Sequence, residues 1–258
     1  KSGGASQPIG ATVESRASQR ERTREAKKIK GYICCCSFLS PRVQKRSKPT
    51  GVAPTMAPTD RDVLLVLYRS TNGPKWSEAT NWDTNADLSD WYAVGLNGES
   101  SVAVISPHRN KLQGPIPPEL GKLGALKKLV LGSNQLSGNI PEELGKLTAL
   151  NMLWLRSNQL TGAIPAHLAA LHKLTWLDLS FNQLSGFIPA ELGHLVALEC
   201  LSLADNKLSG PIPEALGELT ALEELHLYSN NRSGPIPQGA GSPRQVGEAF
   251  AAQQPAYR

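Results

Sequence analysis

No apolar run in this sequence is long enough to cross a bilayer as a helix, which takes about 20 residues, so no transmembrane segment is expected. Cysteine is nearly absent: outside the consecutive Cys34, Cys35 and Cys36 there is only Cys200. A fold stapled by disulfides needs cysteine pairs spread along the chain, so that class is excluded. The stretch "GPIPPELGK" is not a phosphate loop, because its spacing is wrong and its Gly-Lys belongs to a recurring turn. His108, His167, His172, His194 and His226 show no metal-ligand spacing, and Cys200 has no histidine in the positions read as flanking it. The chain is therefore expected to act without catalysis, metal or cofactor.

The formal net charge of +5 describes one end only. Residues 1–55 hold 12 Lys/Arg against 3 Asp/Glu, whereas residues 56–258 hold 15 against 19. Nucleic acid is thus not an expected partner. The tail, beginning "KSGGASQPIGATVESRASQRERTREAKKIK", is polar and almost free of aromatics, so disorder is expected over residues 1–55. Met56 stands directly before "APTDRD", where the folded pattern begins, and is expected to be the translation start. If the tail is expressed, Cys34 to Cys36 beside basic residues are candidates for palmitoylation and membrane association. Neither residue 1 nor Met56 opens a secretory-signal pattern.

What the sequence does have is repetition. Asn110, Asn134, Asn158, Asn182, Asn206 and Asn230 are each 24 residues apart. Gly114, Gly138, Gly162, Gly186, Gly210 and Gly234 keep the same step, as do Ile-Pro pairs starting at Ile116, Ile140, Ile164, Ile188, Ile212 and Ile236. A fixed period of this size is the signature of a solenoid, in which one unit cannot bury its apolar face alone and neighbours bury it together. In "LKKLVLGSN" the alternation puts Leu129 and Leu131 on one face of a short strand. Successive strands are expected to stack in parallel, roughly 4.8 Å apart. Each asparagine is expected to point inward and bond backbone groups of its own and the adjacent coil, since a carboxamide both donates and accepts. Glycine permits a turn with positive φ, and proline after isoleucine fixes an extended return path without an N–H.

The pattern L-x-x-L-x-L-x-x-N-x-L-x-G-x-I-P-x-x-L-G-x-L, running from Val102 to Pro237, resembles the plant-specific class of leucine-rich repeat. The resemblance implies an α/β solenoid, a right-handed superhelix with parallel strands on its concave face. Residues 102–237 would form six 24-residue repeats, and residues 238–258 a degenerate C-terminal cap or tail. Residues 56–101 would form an N-terminal cap, opened by a helix in "TDRDVLLVLYRSTNG" with Thr59 as N-cap, Asp62 three residues on, and Asn72-Gly73 as its stop. Trp76, Trp82 and Trp91 would pack that cap on the first coil. Plant receptor-type caps resemble N-W…C-x-W-x-G-V-x-C, with the two cysteines bonded. Here "NWDTNADLSDWYAVGL" keeps Trp82, Trp91 and Val94, but has Ser89 and Leu96 at the cysteine positions and Ala93 at the glycine. A cysteine-free cap suits a reducing compartment and is similar to that of algal repeat proteins. The sequon Asn231-Arg232-Ser233 points the other way.

The residues that vary between repeats flank the strand leucines and are expected to face solvent on the concave side. One column reads Val104, Lys128, Met152, Trp176, Cys200, Glu224 and the next Ser106, Val130, Trp154, Asp178, Ser202, His226. A third reads His108, Gly132, Arg156, Ser180, Ala204, Tyr228 and a fourth Arg109, Ser133, Ser157, Phe181, Asp205, Ser229. Trp154 and Trp176 are expected to be exposed, with Met152, Arg156, Asp178 and Phe181 around them, an apolar cluster of the composition found at binding hot spots. Truncating the two tryptophans is expected to spare the fold. Lys128, His226 and Tyr228 complete the candidate surface. The resemblance implies a monomeric module recognising a protein or peptide in signalling or defence. Its alternatives are a spacer solenoid, or a secreted receptor-like ectodomain binding peptide or cell-wall glycan. A cytoplasmic location is expected, with an extracellular or membrane-associated one as the alternative.

Overall fold

The computed structural model describes residues 59–232. The basic tail, Met56 and the expected C-terminal cap at 238–258 lie outside the described residues.

The chain enters through helix α1 (Asp60–Ser70), and its start is written in the sequence. The Thr59 hydroxyl accepts from the Asp62 N–H, and the Asp62 carboxylate accepts from the Thr59 N–H at 2.8 Å, a reciprocal capping box. The side-chain and backbone hydrogen bonds from Thr59 hold the Asp62 carboxyl below its ordinary pKa. Val63, Leu64 and Leu67 form the buried stripe, and Asn72 ends the helix in the left-handed conformation at φ 58°. Tyr68 and the three cap tryptophans then interlock: Tyr68 meets Trp76 at 5.2 Å, Trp76 meets Trp82 at 4.8 Å, and Trp82 meets Trp91 at 5.0 Å. Arg61 binds the loop to this cluster, with its guanidinium 5.1 Å over Trp91 and its nitrogens donating to the carbonyls of Thr84 (2.7 Å) and Ala86 (2.6 Å). Ser89 is exposed and Leu96 half-buried, so aromatic packing and a guanidinium fasten this loop without a disulfide. Ala93 has φ 60°, the conformation glycine takes without a Cβ penalty.

From there the repeats build one seven-stranded sheet. Its strands are β1 (Val94–Leu96), β2 (Val102–Ile105), β4 (Lys128–Val130), β6 (Met152–Trp154), β8 (Trp176–Asp178), β10 (Cys200–Ser202) and β12 (Glu224–His226), adjacent in that order. β1 pairs antiparallel with β2, and every later pair is parallel. Between successive main strands from β2 to β12 the chain passes through a short 3-10 helix, such as Glu142–Lys146 or Ala190–His194. Shorter strands lie between: β3 (Gln113–Pro115), β5 (Gln135–Asn139) and β7 (Gln159–Thr161) form one sheet, and β9 (Ser185–Gly186), β11 (Lys207–Gly210) and β13 (Asn231–Arg232) another. The interior is aliphatic. Leu129, Leu153, Leu177 and Leu201 stack through the sheet with no exposure, and Leu144, Leu168 and Leu192 meet them from the far side. Each such side chain contributes roughly 1.5–3 kcal/mol relative to leaving it in water.

Strands of three residues share few ladder bonds, and side chains supply the remainder. Asn158 Nδ2 donates to the carbonyls of Leu131 (3.0 Å) in the preceding coil and Leu155 (2.9 Å) in its own, while its Oδ1 accepts from the N–H of Leu136 (3.0 Å). Asn182, Asn206 and Asn230 repeat this arrangement one coil on each time. The first rung differs. Asn110 Oδ1 accepts from the Glu78 N–H at 2.7 Å and its Nδ2 donates to the Glu78 carbonyl at 2.7 Å, so the same residue type ties the cap to the solenoid. Gly114 has φ 107°, and a Cβ there would stand 2.3 Å from the Ser70 carbonyl oxygen at the end of α1. The residue before each ladder asparagine is also left-handed: Arg109, Ser133, Ser157, Phe181, Asp205 and Ser229 have φ between 51° and 56°. That bend turns the chain from the strand to the asparagine, and composition alone does not announce it, since none of the six is glycine.

Asn158→Ala is expected to be far worse than Gln159→Ala. The first leaves carbonyls and an N–H unpaired at about 1–3 kcal/mol per buried group. The second truncates an exposed side chain and should stay within about 0.5 kcal/mol. Urea unfolding of both variants measures the difference, and equal losses would mean the register is wrong.

Candidate functional site

The outer face of the seven-stranded sheet carries the variable columns, and strand register decides which side chains meet. Lys128, Met152 and Trp176 lie side by side, as do Val130, Trp154 and Asp178. With neighbours at roughly 4.8 Å, large rings cannot stand apart. Trp154 is 8% exposed and Trp176 9%. This corrects the expectation that both are exposed. The Trp154 ring stacks 6.4 Å from His108, two coils back, at an interplanar angle of 16°. It reaches there because Gly132 leaves room; a Cβ at Gly132 would sit 3.1 Å from the indole nitrogen. The Trp154 Nε1–H is buried with no acceptor in the described structure, a group that costs about 1–3 kcal/mol to leave unmade.

Beside it lies a charged cluster. Asp178 is 2% exposed, and a buried carboxylate needs both a counter-charge and hydrogen bonds. It has both. Arg156 Nη1 stands 3.9 Å from Asp178 Oδ2, while Oδ1 accepts from the Ser180 N–H (2.9 Å) and hydroxyl (2.6 Å). The Arg156 guanidinium also lies 4.5 Å over the Phe181 ring. Phe181 holds the left-handed bend at φ 54°, unusual for a bulky residue. Met152, Trp154, Arg156, Trp176, Asp178 and Phe181 thus form one patch, with Lys128 at its edge. His226 and Tyr228 are not part of it. They sit at the far end of the sheet, rings 6.2 Å apart and edge to face.

Sequence reasoning missed three contributors. His108 and Gly132 were in the third column, but a tryptophan spanning two coils is invisible until the rings are placed. Ser180 was the i+2 partner of Asp178, a local motif that the sequence does show. The structure also corrects the reading that Cys200 has no histidine near it. Cys200 pairs directly with Glu224 across β10 and β12, and His226 is two residues further along the same face. Reading diagonals as well as columns would have found it.

A family profile described as "Leucine-rich repeat region" matches residues 108–236. No curated protein sequence matches the chain. Among solved structures, a plant ice-binding protein is 33% identical with a TM-score of 0.65, the match covering 69% of this chain and 58% of that one. The ectodomain of BIR2 from Arabidopsis thaliana is 31% identical with a TM-score of 0.61, over 70% of this chain and 97% of its own. The Arabidopsis receptor kinase HAESA, in complex with the peptide hormone IDA and the co-receptor SERK1, is 29% identical with a TM-score of 0.54, over 70% of this chain and 35% of its own. The chain therefore spans little more than half of the ice-binding protein and about a third of HAESA. Among the described residues no helix is long and apolar enough to cross a membrane.

The burial of the two tryptophans changes what their removal does. Trp154→Ala/Trp176→Ala is expected to lower stability by at least about 3 kcal/mol, in the range of aromatic truncations in packed cores, rather than to spare the fold. Urea midpoints measure this, with Trp154→Phe/Trp176→Phe expected to recover more than half of the loss. An unchanged midpoint in the alanine variant would show that the rings project freely into water.

Proposed function

The chain belongs to the leucine-rich repeat family, and from that membership we propose that it is the recognition module of a receptor-like protein, binding an extended peptide or protein segment without catalysis. The observation that carries this reading is the patch on β6 and β8. It combines an arginine held between a carboxylate and an aromatic ring, a buried indole N–H with no acceptor, and the half-buried Lys128, Met152 and Phe181 around them. Peptides offer the complementary groups: carboxylates for the cations, apolar side chains for the Phe181 ring and the thioether. Aromatic and arginine anchors of this kind dominate interface energetics.

The relatives support the secreted, receptor-like alternative over a cytoplasmic module, since the BIR2 match is an ectodomain and the HAESA match a peptide-hormone complex. The cysteine-free cap is compatible with that location because aromatic packing and Arg61 fasten the loop a disulfide would otherwise hold. The ice-binding relative shows why the reading rests on the patch: the same solenoid carries different ligands, and fold alone does not select one.

Peptides selected from a random display library against the full chain test the reading. Their affinity should fall at least about thirtyfold in Arg156→Ala/Phe181→Ala, as for loss of a hot spot of about 2 kcal/mol. Lys122→Ala and Lys146→Ala, on exposed outer turns, should leave it unchanged. Binders indifferent to Arg156 and Phe181 but lost with the outer lysines would overturn the assignment to this face.

A further inference from the structure

At the other end of the same sheet three metal-type donors converge. Cys200, Glu224 and His226 each offer one ligand atom, and these atoms all lie within 4.8 Å of one another. The Cys200 Sγ is 3.8 Å from Glu224 Oε2, and His226 Nε2 is 3.7 Å from the same oxygen. The N···O separation is too long for a hydrogen bond. It is close to the spacing that one tetrahedral Zn2+ would impose, about 3.4 Å between nitrogen and oxygen and about 3.6 Å between sulfur and oxygen, given its ordinary bond lengths. We propose that Cys200, Glu224 and His226 form a Zn2+ site on the outer face of β10 and β12.

Three features of the fold place the donors. Parallel register sets Cys200 directly beside Glu224. The period of two along a strand puts His226 on the same face as Glu224. The stacking of coils then brings His226 diagonally to Cys200. The positions equivalent to Cys200, Glu224 and His226 one coil earlier are Trp176, Cys200 and Ser202, so the donor set is particular to this end of the sheet. Cys200 is 3% and His226 6% exposed, while the half-buried Glu224 gives the ion a way in. Tyr228 walls the site through its edge-to-face contact with His226. Thiolate, imidazole and carboxylate together favour a borderline ion such as Zn2+ over Mg2+ or Ca2+, which prefer all-oxygen sites. Three protein ligands leave a fourth position for water or a ligand atom. The proposal does not rest on peptide recognition by the Trp154 patch.

Cobalt substitution tests it, because a thiolate bound to Co2+ gives a charge-transfer band in the near ultraviolet. The full chain carrying Cys34→Ser, Cys35→Ser and Cys36→Ser leaves Cys200 as the one thiol. Titrated with Co2+, it should bind a single equivalent with that band, and Zn2+ should displace it where Mg2+ and Ca2+ do not. Adding Cys200→Ser should remove the band. His226→Ala and Glu224→Gln should each weaken Zn2+ binding at least about tenfold, since even the supporting residues of metal sites cost that much. Zn2+ should raise the melting temperature of the parent and not of the Cys200→Ser chain. Absence of saturable Co2+ binding by the parent chain, or a band that survives Cys200→Ser, would overturn the site.

Discussion

Each main strand ends a few residues before a carboxamide that holds two coils at once. Asn182 donates to carbonyls at Leu155 and Leu179 and accepts from the Leu160 N–H, and Asn206 does the same one coil on. Strands of three residues cannot by themselves fix the stacking of a solenoid, and leucine packing is non-directional. The asparagines supply the direction. They satisfy backbone groups that the turn would otherwise bury unpaired, and they set the offset at which each coil meets the next. Asn110 extends the series to the cap by bonding Glu78.

Everything on the outer face follows from that offset. A 24-residue step in perfect register means that one substitution in one repeat is always beside the same position in the next. The sheet face therefore behaves as an array whose contents change while its spacing does not. One region of the array holds rings and a buried ion pair. The region beside it, beginning at Cys200 next to Trp176, holds a thiol, a carboxylate and an imidazole. Neither disturbs the leucines beneath, which is why the same scaffold tolerates both.

Much of this was legible in the sequence because it is periodic. The asparagine and Ile-Pro periods give the coil, the L-x-L alternation gives the strand, and Thr59 with Asp62 gives the start of α1. What was not legible depends on how side chains of unlike size share a narrow spacing. Trp154 and Trp176 occupy outward-facing positions, yet they are buried because rings larger than the strand separation must lie across their neighbours. Trp154 reaches His108 only because Gly132 has no side chain to block it. The left-handed bends at Ser157 and Phe181 were hidden because their residue types do not signal positive φ. The cap lacked the cysteines that its pattern resembles, and nothing in the spacing announced that Arg61 would take carbonyls of the loop instead.

The claim at the centre of this account is that side-chain carboxamides, as much as strand ladders, hold the coils together. Site-resolved amide hydrogen exchange tests it at Leu136, Leu160, Leu184 and Leu208, whose N–H groups donate to asparagine Oδ1 atoms at 3.0 Å. The account predicts that these amides are protected as strongly as those of Leu155 and Leu179, which donate to backbone carbonyls of the next coil at 2.8 and 2.9 Å. Exchange at the four sites as fast as in an unstructured peptide, with Leu155 and Leu179 still protected, would contradict it.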